Sequence, residues 1–200
     1  MKRWLALLVL PLLTACGYNR IQTLDEQANT AQSQIEVQLQ RRVDLIPNLV
    51  NTVKGYATHE AEVFEQVAAA RSGLATAIGT HDAEQMANAN ANLTSQLGKL
   101  MVSVEAYPQL KADASFRQLQ DELTGTENRI AVSRQDYNQA VNAYNSYIRQ
   151  FPAVVTAKMT GAKERKYFTA SASAQAGPPT VDFSKPAAPA QPVPTPPKTP

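Results

Sequence analysis

Apolar residues recur every three or four positions through most of the chain, the spacing that places them on one face of an α-helix. From Ile21 to Val53 this stripe continues for about nine turns at roughly 3.6 residues per turn. Pro47 interrupts it and predicts a kink, not an end. Gly55 then predicts a stop, and Thr58 predicts the N-cap of a second helix.

Two further amphipathic stretches predict a third and a fourth helix. A turn is predicted near Gly79, with Thr80 or Asp82 capping a third helix that ends before Pro108. The fourth helix is predicted to end before Pro152. Four such helices joined by short loops predict an all-α fold, an antiparallel up-down four-helix bundle. Because the first and last helices are longest, we expect their ends to protrude as a two-helix stalk.

The C-terminal region differs from the rest in composition. Residues 185–200 contain seven prolines, and the residues before them are small and polar. Such a segment lacks the apolar surface that would offset its ordering entropy, which predicts a disordered tail over 169–200, with its Pro-rich part extended as polyproline II. Residues 166–168 and 180–183 are predicted to be short extended pieces laid against the bundle.

The N-terminus has the organisation of a lipoprotein signal. Lys2 and Arg3 precede a short apolar run, and residues 13–16 (LTAC) form a lipobox. The alternative is an uncleaved transmembrane anchor, but residues 4–15 span roughly 18 Å as a helix, against a hydrocarbon core of about 30 Å. We therefore expect a signal peptide over 1–15, cleavage between Ala15 and Cys16, and lipidation of Cys16. The bundle domain would then span 16–168.

Charge and cysteine content change in meaning once this signal is removed. The formal net charge of +2 includes Lys2 and Arg3, so the mature chain would carry 17 basic and 17 acidic side chains. A nucleic-acid partner usually requires a basic face, and the sequence shows none, so we expect no nucleic-acid partner. Cys16 is the single cysteine; as the expected lipid attachment point it needs no disulfide partner, and two or more acyl chains would give stable membrane anchoring. The expected location is the cell envelope, extracytoplasmic, and in a Gram-negative cell the periplasmic face of the outer membrane.

Several motifs resemble the LemA family and occur in the family's order between residues 18 and 183. They are 18–19 (YN), 41–50 (RRVDLIPNLV), 53–56 (VKGY), 69–71 (AAR), 127–131 (ENRIA), 137–138 (YN), 144–145 (YN), 151–152 (FP), 167–168 (YF) and 181–183 (VDF). The resemblance implies a four-helix bundle and membrane association, and it implies no established biochemical activity. Many family members keep an uncleaved N-terminal membrane helix, whereas this chain has a lipobox.

Charged residues within the apolar stripes indicate an ionic layer across the bundle interior. The candidates for this buried polar network are Arg42, Asp44, Arg71, Glu127 and Arg134. Removing one member of a buried pair destabilises a protein by roughly 3–5 kcal/mol. The alternative is a solvated face whose long side chains extend over the core.

A strict seven-residue spacing relates three aromatic residues of the fourth helix, Tyr137, Tyr144 and Phe151. This spacing is typical of an interhelical seam packed against the first helix, and a ligand groove lined by rings is the alternative. Asn138 and Asn145 share one heptad offset although asparagine is a poor helix former. We expect specific hydrogen bonds from them, with residues 18–19 as candidate partners.

The sequence offers no motif for catalysis, a cofactor or a metal. His59 and His81 both lie at predicted helix starts, and no glutamate stands three residues before either, as a di-iron bundle would require. We therefore expect a membrane-anchored scaffold or interaction protein, with no enzymatic activity. An unidentified envelope protein is the expected partner, with self-association as a variant. A signal-binding sensor with a cavity at Tyr144, and an envelope spacer acting through the Pro-rich tail, are the alternatives.

Overall fold

The computed structural model describes residues 2–57 and 60–169, with side chains from Gly17 onward. Six helices form the fold: α1 (Lys2–Lys54), α2 (Ala61–Thr80), α3 (Ala83–Val104), α4 (Pro108–Ala112), α5 (Ala114–Arg149) and α6 (Ala153–Thr160). The Cys16 side chain, the Thr58 cap, His59, residues 180–183 and the Pro-rich tail lie outside the described part. Among the described residues, no helix has an apolar segment long enough to cross a membrane.

The two long helices, α1 and α5, pack against each other in antiparallel orientation. Tyr56 near the end of α1 donates to Asp113 before α5 (3.1 Å between oxygens), while Ile21 and Ile148 share a cluster at the opposite end. This confirms the all-α prediction and the pairing of the first and last long helices. Pro47 does not end α1, which runs on to Lys54 as the stripe predicted.

The hairpin formed by α2 and α3 packs on α1. Its turn lies two residues later than predicted, because α2 continues through Gly79 and ends at Thr80. His81 closes α2 in the left-handed conformation (φ 54°), so it is a helix end and not a helix start. Asp82 caps α3 by accepting from the backbone N–H groups of Glu84 (2.9 Å) and Gln85 (3.1 Å).

The predicted two-helix stalk is wrong in one respect, because a third helix covers it. The chain turns at Phe151–Pro152 and forms α6, which packs against both α1 and α5. A small cluster at this end is buried among the three helices; it contains Ile21, Leu24, Tyr144, Ile148 and Ala157. The ends of the long helices are therefore shielded on one side, and the residues of this cluster are buried without a second molecule.

Beyond α6 the chain continues as an extended segment, residues 162–169, which we call the strap. It runs back along α5, with Arg165 bonded to Asn145 and Phe168 bonded to Asn138. Phe168 is 3% exposed and belongs to the main core. The prediction that residues 166–168 lie extended against the bundle is confirmed.

The cap at Asp82 leads to a first testable prediction, on pH. Backbone hydrogen bonding from Gln85 holds the pKa of Asp82 below its ordinary 3.8, with smaller help from Lys166 and against a desolvation effect. The stabilisation from ionised Asp82 is complete above about pH 4 and is lost as pH falls through the lower folded pKa. We expect the melting-temperature gap between wild type and Asp82→Asn to shrink from about pH 6 to about pH 2. Thermal denaturation followed by circular dichroism measures it, and a constant gap would contradict this.

Candidate docking groove

Helices α3 and α5 face each other across an open groove, which we call the α3–α5 groove. Its polar section, about 550 Å³, lies beside the strap and is lined by Ala87, Asn90, Ala91, Thr94, Glu127, Ile130, Ala131, Arg134, Asn138, Phe168 and Thr169. Its more apolar section, about 320 Å³, is lined by Arg42, Thr94, Leu97, Gly98, Met101, Gln120, Leu123, Thr124, Glu127 and Asn128. Thr94 and Glu127 line both sections, so the two form one continuous surface.

Arg42 of α1 forms the floor of this groove. It takes a position in the apolar stripe of α1 between Leu39 and Val43, which forces its side chain into the bundle, and it is 4% exposed. Its Nη1 donates to Asn90 Oδ1 (2.8 Å) and to the Glu127 carboxylate, with which it forms a close ion pair. These contacts hold a buried cation beneath the groove.

The guanidinium is incompletely compensated. Nη2 donates to Thr94 Oγ1 (3.1 Å), whereas Nε has no hydrogen-bond partner among the described residues. Burial lowers the pKa of Arg42, opposed by the charge and hydrogen bond of Glu127. The Glu127 side chain is 45% exposed, so the negative member of the pair lies at the groove surface. In this ion pair the cation, Arg42, is thus buried, whereas the anion, Glu127, is in contact with solvent.

The other predicted members of the polar network lie elsewhere. Arg71 is half-buried and donates from Nε to the carbonyl of Val43 (2.9 Å). Asp44 is exposed and accepts from Gln40 (2.8 Å), and Arg134 is exposed at the rim of the polar section. The prediction is therefore corrected for these three: among the described side chains, only Asn90, Thr94 and Glu127 bond the guanidinium.

Asn90 and Thr94 were not predicted as site residues. They stand four apart on α3 and line the same groove, and Thr94 also donates to the carbonyl of Asn90 (3.0 Å). Their signal in the sequence is a pair of polar residues between the apolar positions Met86, Leu93 and Leu97. That pattern indicates a polar strip beside the core stripe, but it does not reveal the partner on α1.

The strap is held by two side-chain amides that pair with main-chain groups. Asn145 donates from Nδ2 to the Arg165 carbonyl and accepts from the Arg165 N–H, both at 2.9 Å. Asn138 forms the same two bonds with Phe168, at 3.3 and 2.8 Å. Each amide thus satisfies both backbone groups of one residue, as a neighbouring β-strand would. The expected specific hydrogen bonds exist, but residues 18–19 are not their partners.

Further contacts fix the strap to three helices. Arg165 donates to Asp25 Oδ1 (2.8 Å) on α1 and lies over the Tyr144 ring of α5, 5.8 Å from its centroid. Burial opposes its charge, but the hydrogen bond and charge of Asp25 raise the pKa of Arg165. Lys166 bonds Asp82 (3.2 Å) at the start of α3. The strap therefore closes one end of the α3–α5 groove.

The aromatic residues divide between the interior and the surface. Tyr137 and Tyr144 are 2% and 3% exposed, and Tyr137 donates to the carbonyl of Lys166 (2.9 Å). Phe151 is 84% exposed, so its place in the predicted seam is wrong, because α5 ends at Arg149 and the heptad does not continue. Side chains of α1, α5 and α6 fill the space around Tyr144, which removes the ligand cavity that the sensor alternative required there.

The described part of the chain contains no group of three or more side chains that could hold a metal ion. His81 is exposed, and its Nδ1 lies 3.0 Å from Glu36 Oε1 on α1. The same turn is fixed to α1 by Gln32, which donates to the His81 carbonyl (2.8 Å). His81 therefore links the α2–α3 turn to α1 through its ring and its carbonyl group.

Comparison with known proteins relates this architecture to one family. The sequence model of the LemA family matches residues 31–183. The chain is 28% identical over 174 residues to Magnetosome protein MamQ 1 of Paramagnetospirillum magneticum, covering 76% of this chain and 64% of that protein. It is 29% identical over 174 residues to Magnetosome protein MamQ of Magnetospirillum gryphiswaldense, with the same coverage.

Protein LemA of Metamycoplasma hominis is 25% identical over 133 residues, 66% of this chain and 60% of that protein. The chain thus spans less than two thirds of the length of these relatives. The family match extends over more than half of the chain and includes residues 31–54 of α1, helices α2 to α6 and the strap. On this match, the chain belongs to the LemA family.

Proposed function

We propose that this protein is a membrane-anchored, extracytoplasmic interaction protein of the bacterial envelope that binds an extended polypeptide segment of another envelope protein in the α3–α5 groove. The observation that carries this proposal is the amide pairing of the strap. The fold already holds one extended chain at the end of the groove through Asn138 and Asn145. Beyond Thr169 the groove continues with the same polar character.

An extended polypeptide suits the groove better than a compact ligand. Main-chain recognition gives affinity with little dependence on sequence, and pockets for alternate side chains add specificity. The half-exposed carboxylate of Glu127 lines the polar section on the α5 side, and small residues such as Ala91 and Ala131 lie on both sides. This lining allows a backbone to approach closely.

Anchoring at Cys16 is the second part of the proposal. The lipobox supports it, since the cysteine follows a short apolar segment and two small residues. In a Gram-negative cell, the protein would lie at the periplasmic face of the outer membrane. The relatives named for the magnetosome support a role within a cellular assembly rather than one in isolation.

The anchoring is tested by Cys16→Ser in cells fed an alkyne fatty acid. We expect labelled, membrane-bound wild type and an unlabelled variant that loses most of its membrane association, because the acyl chains supply the anchoring energy. Tyr18→Ser, an exposed substitution two residues away, is the matched control and should remain labelled. A Cys16→Ser protein that fractionates with membranes as the wild type does would contradict the lipid anchor.

The docking site is tested by photo-crosslinking in intact cells. A photoreactive residue at Ala91 or Ala131, in the groove, should capture one envelope protein, and capture should fall at least fivefold in the Arg134→Glu background, which reverses an exposed charge at the groove rim and leaves the Arg42–Glu127 pair intact. The same photoreactive residue at Val37, which is 63% exposed on α1, is the matched control. Equal capture of the same protein from Val37, or capture unaffected by Arg134→Glu, would overturn the assignment of the groove.

A further inference from the structure

We infer that the resting occupant of the α3–α5 groove is this chain's own segment 170–183, with Val181 and Phe183 seated in the apolar section. The inference deepens the proposed function, on which it rests for the role of the groove: an external segment would bind by displacing the internal one. It assigns a use to residues 180–183, which the sequence marks as a short extended piece outside the described bundle.

The direction of the strap points the chain into the groove. Arg165 pairs with Asn145 and Phe168 pairs with Asn138, so the strap runs antiparallel to α5. Phe168 and Thr169 themselves line the polar section of the groove. A chain that continues from Thr169 therefore starts at the polar end of the groove.

The segment is long enough to span the groove. From Ala87, which lines the polar section together with Thr169, to Met101 in the apolar section, α3 rises over 14 residues, roughly 21 Å at about 1.5 Å per residue. Fourteen residues, the length of 170–183, span at most about 46–50 Å when fully extended. Phe183 can therefore reach Leu97 and Met101 from Thr169.

The composition of the segment matches the lining in the same order. Residues 170–177 (ASASAQAG) are small except for Gln175, and Ala87, Ala91 and Ala131 are small in the polar section that they would cross. Val181 and Phe183 follow, and Leu97, Met101 and Leu123 line the apolar section. Burial of their apolar surface there would favour this placement.

The extent of the family match supports the same boundary. The match continues 14 residues past Thr169 and stops at Phe183. The seven prolines of residues 185–200 all lie beyond that point. The segment 170–183 is therefore part of the family sequence, separate from the Pro-rich tail.

A tethered occupant sets a threshold for any partner. A short flexible linker gives an effective concentration in the millimolar range, so the internal segment occupies the groove even when its intrinsic affinity is weak. A partner must therefore bind tightly enough to displace the internal segment. The groove would bind segments that carry apolar side chains at the spacing of Val181 and Phe183, and segments of lower affinity would be excluded.

Intramolecular crosslinking of the full-length, lipidated protein in detergent tests the inference. Phe183→p-benzoylphenylalanine should crosslink within the same molecule, and mass spectrometry should place most products on residues 94–101 and 120–127. Val193→p-benzoylphenylalanine, in the Pro-rich tail, is the matched control and should give diffuse products. Products spread over the surface, or formed mainly with a second copy of the chain, would overturn the inference.

A second measurement separates this inference from the proposed function. In cells, Val181→Ser with Phe183→Ser should raise partner capture from the photoreactive residue at Ala91 at least threefold, because the competitor is removed. Unchanged capture would overturn the inference and leave the docking groove standing. Capture absent from both proteins, together with focused Phe183 crosslinks, would overturn the proposed function and leave the internal occupant standing.

Discussion

Replacing Glu127 with glutamine is expected to lower the free energy of unfolding by about 3 kcal/mol. The Arg42 guanidinium is 4% exposed and cannot lose its proton at neutral pH. The amide of the variant would retain a hydrogen-bond acceptor, but the buried cation would lose its compensating charge. We place the effect at the lower end of the range for broken buried pairs because Glu127 is 45% exposed. For a chain of this size, the melting temperature should fall by about 6–12 °C.

The control variants for this prediction differ in which charge they leave behind. Arg42→Met removes the buried cation, fills similar volume and leaves Glu127 in contact with water, so we expect a smaller loss than for Glu127→Gln. Arg134→Gln changes an exposed arginine at the groove rim and should stay within about 0.5 kcal/mol of wild type. Denaturant unfolding of all three proteins measures these differences. If Arg42→Met lowered the free energy of unfolding more than Glu127→Gln does, the loss could not be attributed to a buried cation without its compensating charge.

Replacing both Asn138 and Asn145 with alanine is expected to release the strap from α5. Four hydrogen bonds to main-chain groups would be lost, each contributing about 0.5–1.5 kcal/mol. If each bond contributes about 1 kcal/mol, the free energy of opening the strap would be about 4 kcal/mol lower than in wild type. Trypsin should cut at Lys163, Arg165 and Lys166 at least tenfold faster in the folded variant.

The matched control for the strap is Asn142→Ala; Asn142 lies between the two amides on α5 and accepts a long hydrogen bond from the Tyr167 hydroxyl (3.4 Å). Its cleavage rate should remain within twofold of wild type. Asn145→Asp is a sharper variant, since it keeps the acceptor for the Arg165 N–H but places an oxygen against the Arg165 carbonyl. If Asn145→Asp protected the strap as well as wild type does, the amide pairing would not be what holds it.

Much of the fold follows from periodicity because it is a local property of the chain. The stripe from Ile21 to Val53 predicts α1, and the stripe of α5 predicts its length and its antiparallel partner. The covering of their shared end by α6 depends on the direction in which the chain leaves Phe151 and Pro152. That direction is set by packing against both long helices, which no hydrophobic pattern in residues 153–160 specifies.

The groove was predictable only in part, for a related reason. Arg42 and Glu127 are each conspicuous in an apolar stripe, so their placement near the core follows from helix geometry. Arg134 lies seven residues from Glu127 on the same helix, yet it is exposed at the groove rim, whereas Glu127 pairs with Arg42. The asparagines Asn138 and Asn145 showed that hydrogen bonds were needed, but their partners lie 30 and 20 residues away in sequence.

Gly17 lies against α6: a β-carbon at this position would come within 3.4 Å of Thr156 Oγ1. Packing of α1 against α6 is therefore already present one residue after Cys16. In a protein lipidated at Cys16, as we propose, the acyl chains would be attached next to a packed helix. Arg42 would then stay within roughly 39 Å of its anchor, the distance along α1 from residue 16. The search for a binding segment would become diffusion in two dimensions, which favours partners that present their segment within that distance of the bilayer.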